Sequence, residues 1–474
     1  MGSLNFTLEV AKNTLLNTQV SIQTTSHNIA NADNAAYARQ KVVMSTNPAY
    51  RFRGGWVGMG ANVATVVQQR DQFVERRLVN SISEKSQSET LTSHLSLVEA
   101  YFSDDGESGI SGALGSFWES WDLLHRNPTG ETEKEGVAQA AKRLVEEING
   151  AYHNLEGLAE DINGELERAV GNDGSVKSTV NALLDRIASM NAEIRLSENP
   201  GRTANDLRDQ RYQAIKDLSE IIPIRYSEEQ DGSLTVTLDY RNSSTDPVVL
   251  VSHDKAGELT LATDSVEGKL IEYRSFDYDS AASSGVAVTP SPGEGEISGG
   301  SLNGLIKARH VIDDSLDQLN SFADNLAEQI NSLYPVFETG GSGNPAESIQ
   351  VVSDLAKSMA TETNNEIQNI SELSLEISKM QDESISFGEL GDFTFGHFLS
   401  NIHYKIGIQQ SDADSKVEFY GSLVSELEAQ QQSVSGVSID EEMVDMLKNQ
   451  QVYQAAAKII QMTADLLKTV IDMV

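Results

Sequence analysis

Two stretches at opposite ends of the chain place side chains at alternating spacings of three and four. Near the start these are Leu8, Ala11, Leu15, Thr18, Ile22, Thr25 and Ile29. At the end they are Met443, Met446, Gln450, Tyr453, Ala457, Ile460, Ala464, Leu467, Ile471 and Val474. This alternation puts each set on one stripe of a helix, the seam a coiled coil buries against a partner. Both stripes are thin and padded with Ala, Thr and Gln. Neither holds a helix alone in water, because tertiary packing must offset the cost of nucleation. The expectation is that the stripes pair with each other and with other copies, although one hairpin within a monomeric helical protein fits the same pattern.

Between the ends the period changes twice. From about residue 71 to 218 it is helical, with Val137, Ala141, Leu144, Ile148, Tyr152, Leu155 and Leu158 on one face and Val180, Leu183, Ile187, Met190 and Ile194 on another. Exposing such faces would forfeit roughly 1.5–3 kcal/mol per large aliphatic side chain, so these helices must bundle. After Pro223, Leu234, Val236 and Leu238 alternate with polar residues behind an Asp231-Gly232 turn, the signature of antiparallel strands. The prolines and glycines of Pro290 to Gly295 read as a linker, and helical period resumes at Leu302, Leu305 and Ile306. Ser438 and Glu441 have capping-box spacing and open the last helix.

The expected fold is mainly α with an inserted antiparallel β domain. Residues 1–70 and 420–474 would form a terminal coiled-coil assembly domain. Residues 71–222 and 299–419 would form a discontinuous helical bundle, and 223–298 the β-rich insertion.

Composition narrows the function. Among 474 residues, 35 Lys and Arg face 71 Asp and Glu, a formal charge of -36. Such a surface repels phosphate backbones and anionic headgroups, which argues against nucleic-acid and membrane partners. Solubility and the acidic bias of a salty habitat account for the charge equally well. Without cysteine there are no disulfides, thiolate metal sites or thiol nucleophiles. Met1 to Glu9 lack the basic and apolar regions of a cleaved leader.

No His-x-x-x-His pair, phosphate loop or nucleophile elbow occurs, and the Asp104–Glu107 and Asp277/Asp279 carboxylates lack full calcium-loop spacing. No cofactor, metal or catalytic set is expected.

Several segments carry a resemblance. Gln431 to Val437, followed by Asp440, Glu441, Glu442, Gln450, Gln451, Tyr453, Gln454, Ala455 and Ala457, resembles the hook-associated protein 1 family of flagellar junction proteins. Asn28-Ile29-Ala30-Asn31 with Tyr37 and Arg39 resembles the amino-terminal signature shared by flagellar rod, hook and junction subunits. It departs from that pattern at Asp33 and at Ala35-Ala36, where a glycine usually precedes the Tyr. Asn205 to Arg211 and Gly299 to Leu305 resemble internal junction-protein segments, whereas about 336–395 matches least.

The resemblance implies a non-enzymatic, extracellular axial protein, exported through the flagellar type III apparatus. Implied partners are a ring of its own copies, the hook protein, the second junction protein or filament side, and an export chaperone at the C-terminal helix. Leu8, Leu15, Ile22, Ile29, Met446, Tyr453, Ile460, Leu467 and Ile471 would carry assembly, with Asn28, Asn31, Tyr37 and Arg39 shaping the exit from the first helix. Ends that fold only against neighbours would be disordered before about residue 40 and after about 440 in the isolated chain. Replacing Ile22 and Ile460 by Asp should then abolish incorporation and spare the middle domains. Another axial subunit, an exported enzyme with flagellar-type termini, or an unrelated scaffold or adhesin are the competing readings.

Overall fold

The computed structural model describes residues 2–52, 55–102, 109–171, 178–198, 202–241, 248–264, 268–274, 286–287, 296–341, 343–359 and 364–472. The chain opens with α1 (Gly2–Ala30), followed by β1 (Gln40–Thr46), β2 (Tyr50–Phe52), β3 (Gly55–Val57) and β4 (Ala61–Gln68). Five helices come next: α2 (Gln72–Phe102), α3 (Gly109–Arg126), α4 (Glu131–Val170), α5 (Thr179–Ser197) and α6 (Asn205–Ile221). A strand-rich stretch holds β5 (Ile224–Glu228), β6 (Leu234–Leu238), β7 (Tyr240–Arg241), β8 (Val249–Ser252), β9 (Lys255–Ala256), β10 (Glu258–Asp264), β11 (Gly268–Arg274), β12 (Val286–Ala287) and β13 (Glu296–Ile297). After α7 (Gly300–Leu333) come β14 (Phe337–Thr339), the single turns α8 (Pro345–Ser348) and α9 (Leu355–Ser358) flanking β15 (Ile349–Val351), then α10 (Asn364–Lys379) and the β16–β17 ribbon (Ile385–Ser386, Asp392–Phe393). The long helices α11 (Phe395–Ser435) and α12 (Ile439–Asp472) close the chain. The fold is mainly α with small antiparallel sheets, as the periodicity implies. The Pro290–Gly295 linker lies outside the described residues.

The chain divides into two compact units. One comprises residues 1–84, 169–300 and 419–474. In it β5, β6, β8 and β9 form an antiparallel sheet, with Leu234, Val236 and Leu238 buried between half-buried threonines. The sheet packs on α5, whose buried face carries Val180, Leu184, Ile187, Met190 and Ile194. Leu184 takes the position the sequence pattern assigns to Leu183, which is half-buried. Asparagines dock these strands. Asn191 donates to the Leu234 carbonyl at 2.8 Å and accepts from its N–H at 3.0 Å, and Asn181 does the same to Leu259 at 2.8 and 2.9 Å. Each carboxamide replaces a neighbouring strand, so the edge backbone remains satisfied.

The other unit comprises residues 85–168 and 301–418. Every member of the α4 stripe from Val137 to Leu158 is buried. Phe117 and Trp121 of α3 are fully buried, with Phe117 5.7 Å from Phe337, Trp118 6.0 Å from Phe395, and Phe387 stacked on Phe398 at 3.9 Å. The segment with least family likeness thus furnishes one wall of an aromatic core.

Candidate assembly site at the paired termini

Helices α1 and α12 lie against each other along their lengths and run antiparallel, so the ends expected to be disordered before about residue 40 and after about 440 are paired helices within one chain. Asn28 meets Glu442 at one end, while Phe6 and Val10 flank a groove of about 760 Å³ with Val452 and Ile459 toward the other. The fully buried seam consists of small or polar side chains: Ala11, Thr18, Ser21, Thr25 and Asn28 on α1, Glu442, Ala456 and Thr463 on α12. Three of the four hydroxyls satisfy themselves on their own helices. Thr18 donates to the Thr14 carbonyl at 2.7 Å, Ser21 to Asn17 at 3.1 Å and Thr463 to Ile459 at 2.7 Å. Slender side chains with internal hydrogen bonds let two backbones approach closely without leaving a buried polar group unpaired.

The larger residues expected to carry assembly flank this seam. Leu8, Leu15, Ile22, Ile29, Met446, Ile460 and Leu467 are half-buried, and Tyr453 is exposed. The side chain of Ile471 lies outside the described residues.

The amino-terminal signature closes on the last helix. Tyr37 donates its hydroxyl proton to Asn28 Oδ1 at 2.7 Å, and the Gln40 N–H donates to the same oxygen at 3.0 Å. Asn28 Nδ2 donates to the Gln40 carbonyl at 3.0 Å and to Glu442 Oε2 at 3.1 Å. Arg39 Nε meets Glu442 Oε1 at 2.7 Å and its Nη1 meets Glu441 Oε2 at 2.9 Å, while its backbone N–H caps the Ser435 carbonyl at 2.8 Å. Asn31 holds the end of α1 by donating to the His27 carbonyl at 3.0 Å. Burial, reinforced by Asp206, Asp209 and Glu442, raises the Tyr37 hydroxyl far above its ordinary range, so it stays a donor. Glu442, central to this lock, is absent from the expected site residues. Three carboxylates in a helix's first turn read as complements to its dipole, and only the buried register sets Glu442 apart.

A second network ties the internal segments to the same unit. Arg70 forms ion pairs with both Glu75 and Asp209, and its guanidinium lies 4.5 Å over the Tyr212 ring. Gln68 donates to Asp209 at 2.7 Å. Burial pushes the Asp209 carboxyl up to about 6 against the pull of Arg70. Within Asn205–Arg211, Asn205 donates to the Val66 carbonyl at 3.0 Å, Arg208 holds Glu198 at 2.7 Å, and Arg211 holds Asn191 at 2.7 Å and the Gly232 carbonyl at 2.8 Å. Gly300 has φ 77°, and an added Cβ would stand 2.3 Å from the Ile221 carbonyl oxygen. Only glycine fits there.

Among the described residues no group of His, Cys, Asp or Glu is placed to hold a metal ion, and no helix is long and apolar enough to cross a membrane.

A family profile described as "Flagellar hook-associated protein FlgK helical domain" matches residues 95–334. The chain belongs to the flagellar hook-associated protein FlgK family. A second profile, "Flagellar basal body rod FlgEFG protein C-terminal", matches residues 430–473, the segment containing α12 and Glu442. Two FlgK-family relatives span almost the whole chain. Flagellar hook-associated protein 1 of Bacillus subtilis (strain 168) is 23% identical, covering 100% of this chain and 99% of the relative. Its counterpart from Salmonella typhimurium is 24% identical, covering 94% and 95%. The solved structure of the flagellar hook junction protein FlgK from Burkholderia pseudomallei shares the fold. It aligns with a TM-score of 0.60 and 13% identity over 76% of this chain and 100% of that one.

Proposed function

We propose that this FlgK-family chain is a non-enzymatic structural subunit that joins the flagellar hook to the filament as a ring of its own copies. One observation carries the reading. With its inner face against α1, α12 still exposes Val444, Leu447, Met462 and Leu466 at 64, 58, 58 and 54%. Val444 with Leu447 and Met462 with Leu466 are each at helical spacing on the face turned from α1. Burying each side chain between subunits would contribute roughly 1.5–3 kcal/mol. A solitary soluble protein has little use for two such apolar patches on one helix.

The seam binds one chain's ends together and the outer row binds neighbours. Assembly residues are thus the outer row, supported by Leu8, Leu15, Ile22, Ile29, Met446, Tyr453, Ile460, Leu467 and Ile471 around the seam. Export precedes assembly. A chaperone covering the α12 row would keep it from associating early, and the hook protein and second junction protein would be its neighbours in the axis.

Electron micrographs of a strain lacking the gene test this directly. Bare hooks with filament protein shed into the medium are expected. Normal filaments on that strain would end the proposal.

A further inference from the structure

The acidity of the chain is unevenly spread. Over residues 1–68 the cations Lys12, Arg39, Lys41, Arg51 and Arg53 outnumber the carboxylates Glu9 and Asp33, although the whole chain carries -36. Part of this basic island is displayed on the β2–β3 hairpin, where Tyr50 pairs with Val57 and Arg51 with Trp56. Phe6 of α1 anchors the hairpin through Tyr50, their ring centroids 4.8 Å apart. Trp56 is 68% exposed, and the Arg51 guanidinium lies 5.9 Å from its ring centre. An exposed tryptophan beside an arginine has the composition of an interface hot spot.

The complementary surface lies on the first turns of α12. Asp440 and Asp445 are exposed there beside Met443, Val444 and Leu447. Within one chain the hairpin lines the groove against Val452, Ala455 and Ile459, further along the helix, and Met443, Val444 and Leu447 remain open. A second copy supplies what the first cannot.

We propose that the β2–β3 hairpin of one copy docks on the outer face of residues 440–447 of a second copy. Trp56 packs among Met443, Val444 and Leu447, and Arg51 faces Asp440 and Asp445. This rests on the self-assembly reading and specifies its contact. Tryptophan burial supplies most of the affinity, because exposed ion pairs contribute little. The charges fix orientation and speed encounter between two otherwise repelling, acidic molecules. Donor and acceptor surfaces differ, so the contact is head-to-tail and propagates into a ring or a helical tier.

The absence of native cysteine allows a clean test. Arg51→Cys and Val444→Cys chains are produced together in a flagellated strain lacking the native gene, and isolated flagella are mildly oxidised. A covalent dimer that requires both variants is expected. Incorporation of both without a dimer overturns the contact.

A charge exchange provides the second arm. Arg51→Glu should cut incorporation tenfold or more, and adding Asp445→Arg should restore it. No loss, or a loss that the exchange fails to restore, also overturns the contact. If the unaltered chain itself is absent from isolated flagella, the failure belongs to the junction reading and not to this contact.

Discussion

Asn28 Nδ2 and Glu442 Oε2 lie 3.1 Å apart although 414 positions separate them in sequence. The Asn28 carboxamide also occupies the Gln40 N–H and C=O, so one side chain joins the end of α1, the start of β1 and the first turn of α12. Arg39 completes the lock by neutralising Glu442, whose side chain is 3% exposed.

Removing Arg39 strands a buried carboxylate, at a cost of about 3 kcal/mol. Arg39→Ala should therefore speed amide exchange over residues 25–29 and 440–446 by on the order of 100-fold, while α4 stays protected. A double-mutant cycle with Glu442→Gln should return most of that loss, since the neutral amide needs no cation. Independent, additive effects would show that the pair is incidental.

Gly300 tests the internal segment. Gly300→Ala combines a left-handed φ with a backbone clash, and the expected destabilisation is at least about 2 kcal/mol. Gly341→Ala, where the added Cβ meets nothing within 4 Å, should change little. Thermal melts of the two variants discriminate between a required glycine and a tolerated one.

Much of this was legible in the sequence because periodicity records burial. The α4 stripe, the Leu234–Leu238 strand and the helix start at Ser438 can be read directly from spacing and capping. The seam between the termini was harder. Apart from Ala11 and Ala456, its fully buried positions are Thr18, Ser21, Thr25, Asn28, Glu442 and Thr463, residue types that hydropathy counts as surface. The stripe of α1 includes the buried Ala11, Thr18 and Thr25, its larger members mark the flanks, and on α12 the stripe runs about one position off the buried register at Ala456 and Thr463. Nor can local sequence pair Asn28 with Glu442, because the loop between them spans nearly the whole chain. Family likeness singles out Asn28, Tyr37, Arg39 and Glu442 without showing that Tyr37 bonds Asn28 while Asn28 and Arg39 both hold Glu442.

The pH response follows from Asp209. Its unfolded carboxyl titrates near 3.8, whereas burial brings the folded value to about 6. Below about pH 4 the group is neutral in both states. Above about 6 it is charged in both, and the folded chain bears the burial of that charge. Its stabilising contribution is complete below the unfolded value and is lost as pH rises through the folded one. Asp209→Asn deletes this slope, so the stability of the variant relative to the parent should climb between pH 4 and 6 by up to about 1.4 kcal/mol per unit. Urea melts at three pH values check it, and a constant difference would refute it.

Inward and outward positions on the terminal helices should separate by phenotype. Ile22→Asp with Ile460→Asp strikes the flanks of the seam and should loosen α1 from α12, raising exchange along both helices before any assembly step. Circular dichroism of the remaining helices should be nearly unchanged.

The outer row of α12 decides the central claim. A strain carrying Leu447→Asp and Met462→Asp in place of the native gene isolates this surface, because both side chains point away from α1 and surface changes of this kind cost within about 0.5 kcal/mol of stability. Counting filaments per cell by electron microscopy, alongside the variant secreted into the medium, should find bare hooks and a folded, soluble chain outside the cell. Filaments of normal number and length would contradict the account.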